Sequence, residues 1–172
     1  MDDEEIIRLL NQDFVLEIEA SMVYVRNAFL MKDCVPSRLT EAIAIDEMRH
    51  MNWLGNLIVK KGGVPIMEHK DLDFGNESLK GYLQKQYDLE NDAVKQYQEQ
   101  IDLIGENDAE TVETLKHILD EERRHRKEFR IFRYQSLKSY KKKKNKTTGN
   151  DRGCNPQVED AAHKVCVCSP VS

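Results

Sequence analysis

The sequence predicts an all-α protein: a four-helix bundle with one long crossover between the second and third helices. Three observations carry this. Apolar residues recur at helical spacing over four stretches of roughly 25 to 30 residues each. No stretch shows the alternation of a strand. The first and last links are short, which makes antiparallel neighbours, while the middle link is long.

The first helix is predicted over residues 3–32, where Ile6, Leu10, Phe14, Ala20, Tyr24 and Met31 keep helical spacing. Asp2, Asp3, Glu4 and Glu5 crowd its start, where the helix dipole favours negative charge. Asp33-Cys-Val-Pro36 reads as a turn, and Ser37 as the cap of a second helix over about 37–61, ended by Gly62-Gly63-Val-Pro65. Residues 64–76 lack periodicity, and at about 3.3 Å per residue they can run the length of a bundle if extended. Asn76 or Ser78 opens a third helix to about Gly105, and a fourth runs from about 109 to 138 with Leu115, Ile118, Phe129 and Phe132 on one stripe. The bundle is therefore placed at 1–140. Residues 141–172, beginning with Lys141 to Lys144, read as a flexible lysine-rich tail.

Composition narrows the function classes. A chain of 172 residues with 40% hydrophobic and 33% charged residues can bury one real core. No apolar run approaches the roughly 18 to 20 residues of a membrane span. The acidic start has the wrong sign for a targeting peptide, so a cytoplasmic protein is expected. The net charge of -5 conceals a split: residues 138–172 hold eight basic and three acidic side chains, the rest 18 and 28. Such an acidic body attracts cations and argues against nucleic acid as the main partner. Cys34, Cys154, Cys166 and Cys168 form no Cys-x-x-Cys pair, so no zinc ribbon or rubredoxin-type iron site can be built.

The chemistry is concentrated in a duplicated phrase. Glu47 and His50 stand three apart in the second helix, as do Glu122 and His125 in the fourth. On a helix this spacing aims carboxylate and imidazole at one point. The first helix reads Glu17-x-x-Ala20-x-x-x-Tyr24 and the third Glu90-x-x-Ala93-x-x-x-Tyr97. Glu17 and Glu90 interrupt stripes that are otherwise apolar or aromatic. The chain thus reads as two copies of one helical hairpin. Four carboxylates and two imidazoles would converge at mid-bundle. A carboxylate buried there costs several kcal/mol unless neutralised. Six oxygen and nitrogen donors without thiolate suit iron or manganese, and this is the donor pattern of di-iron carboxylate bundles. The imidazoles need outer partners such as Asp46 or Asp120. Tyr24 and Tyr97 are placed to bond these carboxylates or to supply an electron. Glu121 could compete with Glu122. His69, His117 and His163 have no such context and read as surface residues.

At these residues the sequence resembles the ferritin-like superfamily, and within it bacterioferritin. The similarity covers about residues 5–135: Leu9-Leu10, Glu17, Ala20 and Tyr24, then Ile45-Asp-Glu-Met-Arg-His50, Gly62-Gly-Val-Pro65, Glu90 and Glu121-Glu-Arg-Arg-His125. The resemblance implies a di-iron ferroxidase centre, with Glu17 and His50 on one iron, Glu90 and His125 on the other, and Glu47 and Glu122 bridging. It implies oxidation of Fe(II) by O2 or H2O2 for iron storage or detoxification. Met48 stands where bacterioferritins place the methionine that ligates haem b between subunits. Leu54 departs from the tyrosine that family often has there. The absence of a clear fifth helix leaves homo-oligomers from a dimer to a 24-mer open. Two rival readings are a rubrerythrin-like peroxide reductase without its rubredoxin domain, served by an external electron donor, and a di-iron oxygenase.

Overall fold

The computed structural model describes the backbone of residues 1–68 and 71–147, and the side chains of residues 1–68 and 71–135. Within them lie four long helices: α1 (Asp3–Leu30), α2 (Cys34–Lys60), α3 (Leu79–Ile104) and α4 (Ala109–Thr147), with a 3-10 turn over Gly105–Asn107. Among the described residues there is no strand, and no helix is long and apolar enough to cross a membrane.

Local chemistry sets the ends. Asp2 caps α1 by accepting the Glu5 N–H at 2.9 Å. Ser78 caps α3 by accepting the Gly81 N–H at 3.0 Å. At α4, Asp108 accepts the Thr111 N–H at 3.1 Å. Two boundaries differ from the sequence expectation. Helix α2 starts at Cys34, because Asp33 accepts the Val35 N–H at 3.1 Å and so does the capping. Pro36 then falls in the first turn, where a missing N–H costs nothing. Ser37 instead donates to the Ala28 carbonyl at 2.8 Å, fastening α2 to α1. Helix α4 passes residue 138 and runs through Lys141 to Lys144 to Thr147. Lysine is a good helix former, and its charge suits a helix C-terminus. Of the tail expected at 141–172, residues 148–172 lie outside the described residues, as do Cys154, Cys166, Cys168, His69 and His163.

The core falls into two clusters that reveal the topology. One gathers Ile6 and Leu9 of α1, Leu57 and Ile58 of α2, Ile101 and Ile104 of α3, and Val112 and Leu115 of α4. The start of α1 therefore lies beside the ends of α2 and α3 and the start of α4. The other gathers Met31, Ile43, Tyr82 and Phe129, the opposite ends of the same helices. So α2 and α3 run parallel, and residues 61–78 must cross the length of the bundle. Two buried asparagines of α1 hold this crossover. Asn11 donates to the Val64 carbonyl at 3.3 Å and accepts the Ile66 N–H at 2.8 Å, and Asn27 donates to the Phe74 carbonyl at 3.2 Å. The middle of the bundle, between the two clusters, is left for polar residues.

Candidate metal centre

Six charged or titratable side chains meet there, all nearly inaccessible: Glu17, Glu47, Glu90 and Glu122 are at most 2% exposed, and His50 and His125 are fully buried. Each helix contributes because its polar residue occupies a position on the inward stripe. Helical spacing then brings Glu47 to His50 and Glu122 to His125.

The donor atoms converge. His50 Nδ1 lies 2.9 Å from Glu47 Oε2, 2.9 Å from Glu122 Oε1 and 3.7 Å from Glu17 Oε2. His125 Nδ1 lies 3.2 Å from Glu47 Oε1 and 3.7 Å from Glu90 Oε2. These are ion-pair distances without hydrogen-bond alignment. Both Glu47 oxygens, Glu90 Oε2, Glu122 Oε1 and both histidine Nδ1 atoms have no hydrogen-bond partner. Orphaned buried donors on this scale are costly, and a cation between them would satisfy all at once. Two sets of four atoms each lie within 4.8 Å of one another and could hold an ion: Glu17, Glu47, His50 and Glu122, and Glu47, Glu90, Glu122 and His125. Glu47 and Glu122 belong to both sets.

The outer atoms are satisfied differently. Tyr24 of α1 donates to Glu90 Oε1 on α3 at 2.6 Å, and Tyr97 of α3 donates to Glu17 Oε1 on α1. The tyrosines therefore cross over, each serving the other helix's glutamate. His50 Nε2 meets Glu121 Oε2 at 2.9 Å, and His125 Nε2 meets Asp46 Oδ2 at 3.1 Å. Here the expectation is half corrected. Asp46 is an outer partner, but Asp120 is exposed and pairs with Arg123 at 3.0 Å. Glu121 does not compete with Glu122; it takes the role expected of Asp120. Arg49 and Arg124 tie Asp46 and Glu121 together across α2 and α4, at 2.8 to 3.5 Å. The repeat carried a signal for this, since Asp46 and Glu121 each directly precede a shared glutamate.

The electrostatics reflect four carboxyls and two imidazoles buried together. Burial, together with the Glu122 and Glu47 charges, pushes Glu17 and Glu90 well above the usual carboxylate range. Glu122 is raised by burial and by Glu47. Burial also acts against the Glu47 charge, but the His125 and His50 imidazoles overcome it and hold that carboxyl at about 2. Burial disfavours the imidazolium of His50 and of His125, and the surrounding carboxylates overcome this and raise both.

Other expected residues lie outside the cluster. Met48 is 47% exposed on the outer face of α2. Leu54 is fully buried in the apolar core. His117 is exposed, as expected, and the Trp53 ring meets both it and His50 in tilted contacts at centroid separations of 5.0 and 5.7 Å. Glu19 faces away and meets Lys85 at 3.3 Å. One buried acid was not anticipated. Asp13, one turn before Glu17, accepts from Gln96 and Gln100, both at 2.7 Å, and its Oδ2 has no partner. Burial, opposed by those two amides, raises its carboxyl to about 8. Its place on the apolar stripe of α1 was the available signal.

The fold is similar to that of known proteins. A dodecameric thioferritin, the bacterioferritin-related protein of Bacteroides fragilis, superposes with TM-score 0.76 at 21% identity, covering 83% of this chain and 92% of that one. A bacterioferritin of Desulfovibrio desulfuricans, described with a di-iron site in different catalytic states, gives 0.76 at 19% identity over 93% and 96%. A mycobacterial bacterioferritin gives 0.71 at 22% identity over 76% and 84%. At these identities the likeness is one of fold. No curated protein sequence is similar enough to count as a relative. The ferritin-like domain family, however, matches residues 7–133, which is most of the chain, and the protein belongs to that family.

Proposed function

We propose that the chain is a ferroxidase: it takes up two Fe(II) ions as substrate and oxidises them with O2 or H2O2, in iron storage or detoxification. The observation that carries this is the set of orphaned buried donors at mid-bundle. Glu17 and His50 would hold one iron, Glu90 and His125 the other, and Glu47 and Glu122 would bridge. Hard carboxylate oxygens with imidazole suit iron and also admit manganese. Two metals so bridged can deliver two electrons together to one oxidant. The chain's own part is to position and to balance charge. Tyr24 and Tyr97 hold Glu90 and Glu17 in place through their second faces. Glu121 and Asp46 fix the imidazole rings with Nδ1 inward. Burial disfavours the charged forms of Glu17, Glu90 and Glu122, and entering cations would offset that cost.

The outer face of α1 and α2 supports a homo-oligomer. Met22 and Phe29 are 54% and 79% exposed on α1, and Ile45 and Met48 are 55% and 47% exposed on α2. Exposed on this face, Met48 fits a haem ligand at such a contact.

The test is stopped-flow mixing of metal-free protein with Fe(II) and either oxidant. A ferroxidase turns over many irons per chain and runs as a large assembly by native mass. Fast H2O2 turnover with metal fixed near two per chain would instead favour a peroxide reductase. A Soret band lost in Met48→Leu would assign the haem, and no band in haem-replete protein would remove it.

A further inference from the structure

A cleft of about 400 Å³ lies between α3 and α4, lined by Tyr87 of α3 and by Arg123, Arg126, Lys127 and Arg130 of α4. None of the six central side chains lines it, and no carboxylate does. Its four α4 residues stand at i, i+3, i+4 and i+7, so they share one face. Arg123 with Lys127, and Arg126 with Arg130, are like charges one turn apart, a spacing that disfavours the helix.

The bundle pairs acid with base at the neighbouring i,i+3 spacing in Asp46 with Arg49, Asp92 with Lys95 and Asp120 with Arg123. Some lysines reach acids elsewhere in the bundle, as Lys60 does to Glu110 and Lys61 to Asp108. In the cleft only Arg123 has a carboxylate, Asp120 at 3.0 Å. Arg126 reaches Asn91 Oδ1 at 3.4 Å. Among the described residues no carboxylate is within ion-pair distance of Arg126, Lys127 or Arg130. Three uncompensated cations on one wall are conspicuous in a chain with 31 acidic residues against 26 basic. The opposite wall is fixed. Arg133 sits 4.3 Å over the Tyr87 ring and donates to Gln84 Oε1 at 2.8 Å, so Tyr87 cannot swing into the cleft without breaking that stack.

We propose that this cleft binds a phosphate-bearing anion. Guanidinium groups are planar forks that match two phosphate oxygens at once, and Arg126 and Arg130 present two of them one turn apart. Lys127 adds a point charge to the same cleft. The volume is within the range of small-ligand sites, enough for inorganic phosphate up to a nucleotide. The proposal is independent of the metal centre.

The test is calorimetric titration of metal-free, full-length protein with inorganic phosphate, pyrophosphate and ATP, each without magnesium, at low and at high salt. The expected result is saturable binding of pyrophosphate or ATP, one per chain, weakened by salt. Affinity should fall roughly tenfold in Arg126→Gln and again in Arg126→Gln/Arg130→Gln. Lys116→Gln, on the same helix outside the cleft, should bind normally. Thermal melts confirm that the variants fold. Equal affinity for pyrophosphate and ATP would mean that phosphate alone is recognised, and preference for ATP would add a base on Tyr87. The proposal is overturned by absence of saturable binding at low salt, by sulfate binding as tightly as pyrophosphate, or by a folded double variant that binds like wild type.

Discussion

The hairpin of α1 and α2 and the hairpin of α3 and α4 agree closely at the centre and part company one turn away. Glu17 and Tyr24 match Glu90 and Tyr97, and each tyrosine bonds the other hairpin's glutamate. Glu47 and His50 match Glu122 and His125, and the acids before them, Asp46 and Glu121, cross over in the same way to the opposite imidazole. Four residues before the glutamates the match ends. Asp13 stands before Glu17, a buried carboxyl raised to about 8. Gln86 stands before Glu90, a neutral amide taking a hydrogen bond from Thr40 at 3.4 Å. What must converge on a common point is held in both copies. What merely flanks it has diverged, leaving an ionisable group on one side only.

This comparison can be broken most severely at the histidines. If the halves are equivalent, His50→Ala and His125→Ala each lower metal content from two ions to one, with loss of at least about 100-fold in affinity at the altered side. Metal analysis after dialysis reads this directly. Loss of both ions in one variant and neither in the other would show that the copies are not equal.

The next effect separates the halves. The Asp13 carboxyl is raised from an ordinary 3.8 to about 8 in the folded chain, mainly by burial. Its contribution to stability is full below the unfolded value and is lost as pH rises through the folded one. Between pH 4 and pH 8 wild type should therefore lose stability relative to Asp13→Asn, on the order of a few kcal/mol. Denaturant melts of both proteins at the two ends of that window measure the difference. Parallel profiles would mean that Asp13 does not titrate there. Gln86→Leu should leave the pH profile unchanged.

The smallest effect sharpens the match. Glu121→Gln and Asp46→Asn should each weaken metal binding by about 10- to 100-fold, to a similar degree, since each fixes one imidazole. An effect confined to one of them would make the outer pairing unequal.

Much of this was legible in the sequence because periodicity and spacing are local. Four helices, the crossover and the convergence of six donors follow from stripes and from the repeated Glu-x-x-His. What escaped depends on partners distant in the chain. That Tyr24 serves Glu90 rather than its neighbour Glu17 is decided by the packing of α1 against α3. That Glu121, and not Asp120, meets His50 is decided by the rotation of α4, although its place in the repeat pointed there. Asp33 displaced Ser37 as a cap because a proline in the first turn is harmless, so the helix could begin earlier. Asp13 was overlooked because a single acid on an apolar stripe has no motif of its own, and its two amide partners lie on another helix.

The central claim is that these six side chains hold two metal ions between them. Anomalous diffraction at the iron edge, from crystals soaked anaerobically in Fe(II), tests it most directly. The account predicts two peaks per chain about 3.5–4 Å apart, one beside His50 and one beside His125, both touching Glu47 and Glu122. Absence of density at mid-bundle, or the same two peaks persisting in Glu47→Ala/Glu122→Ala, would contradict it.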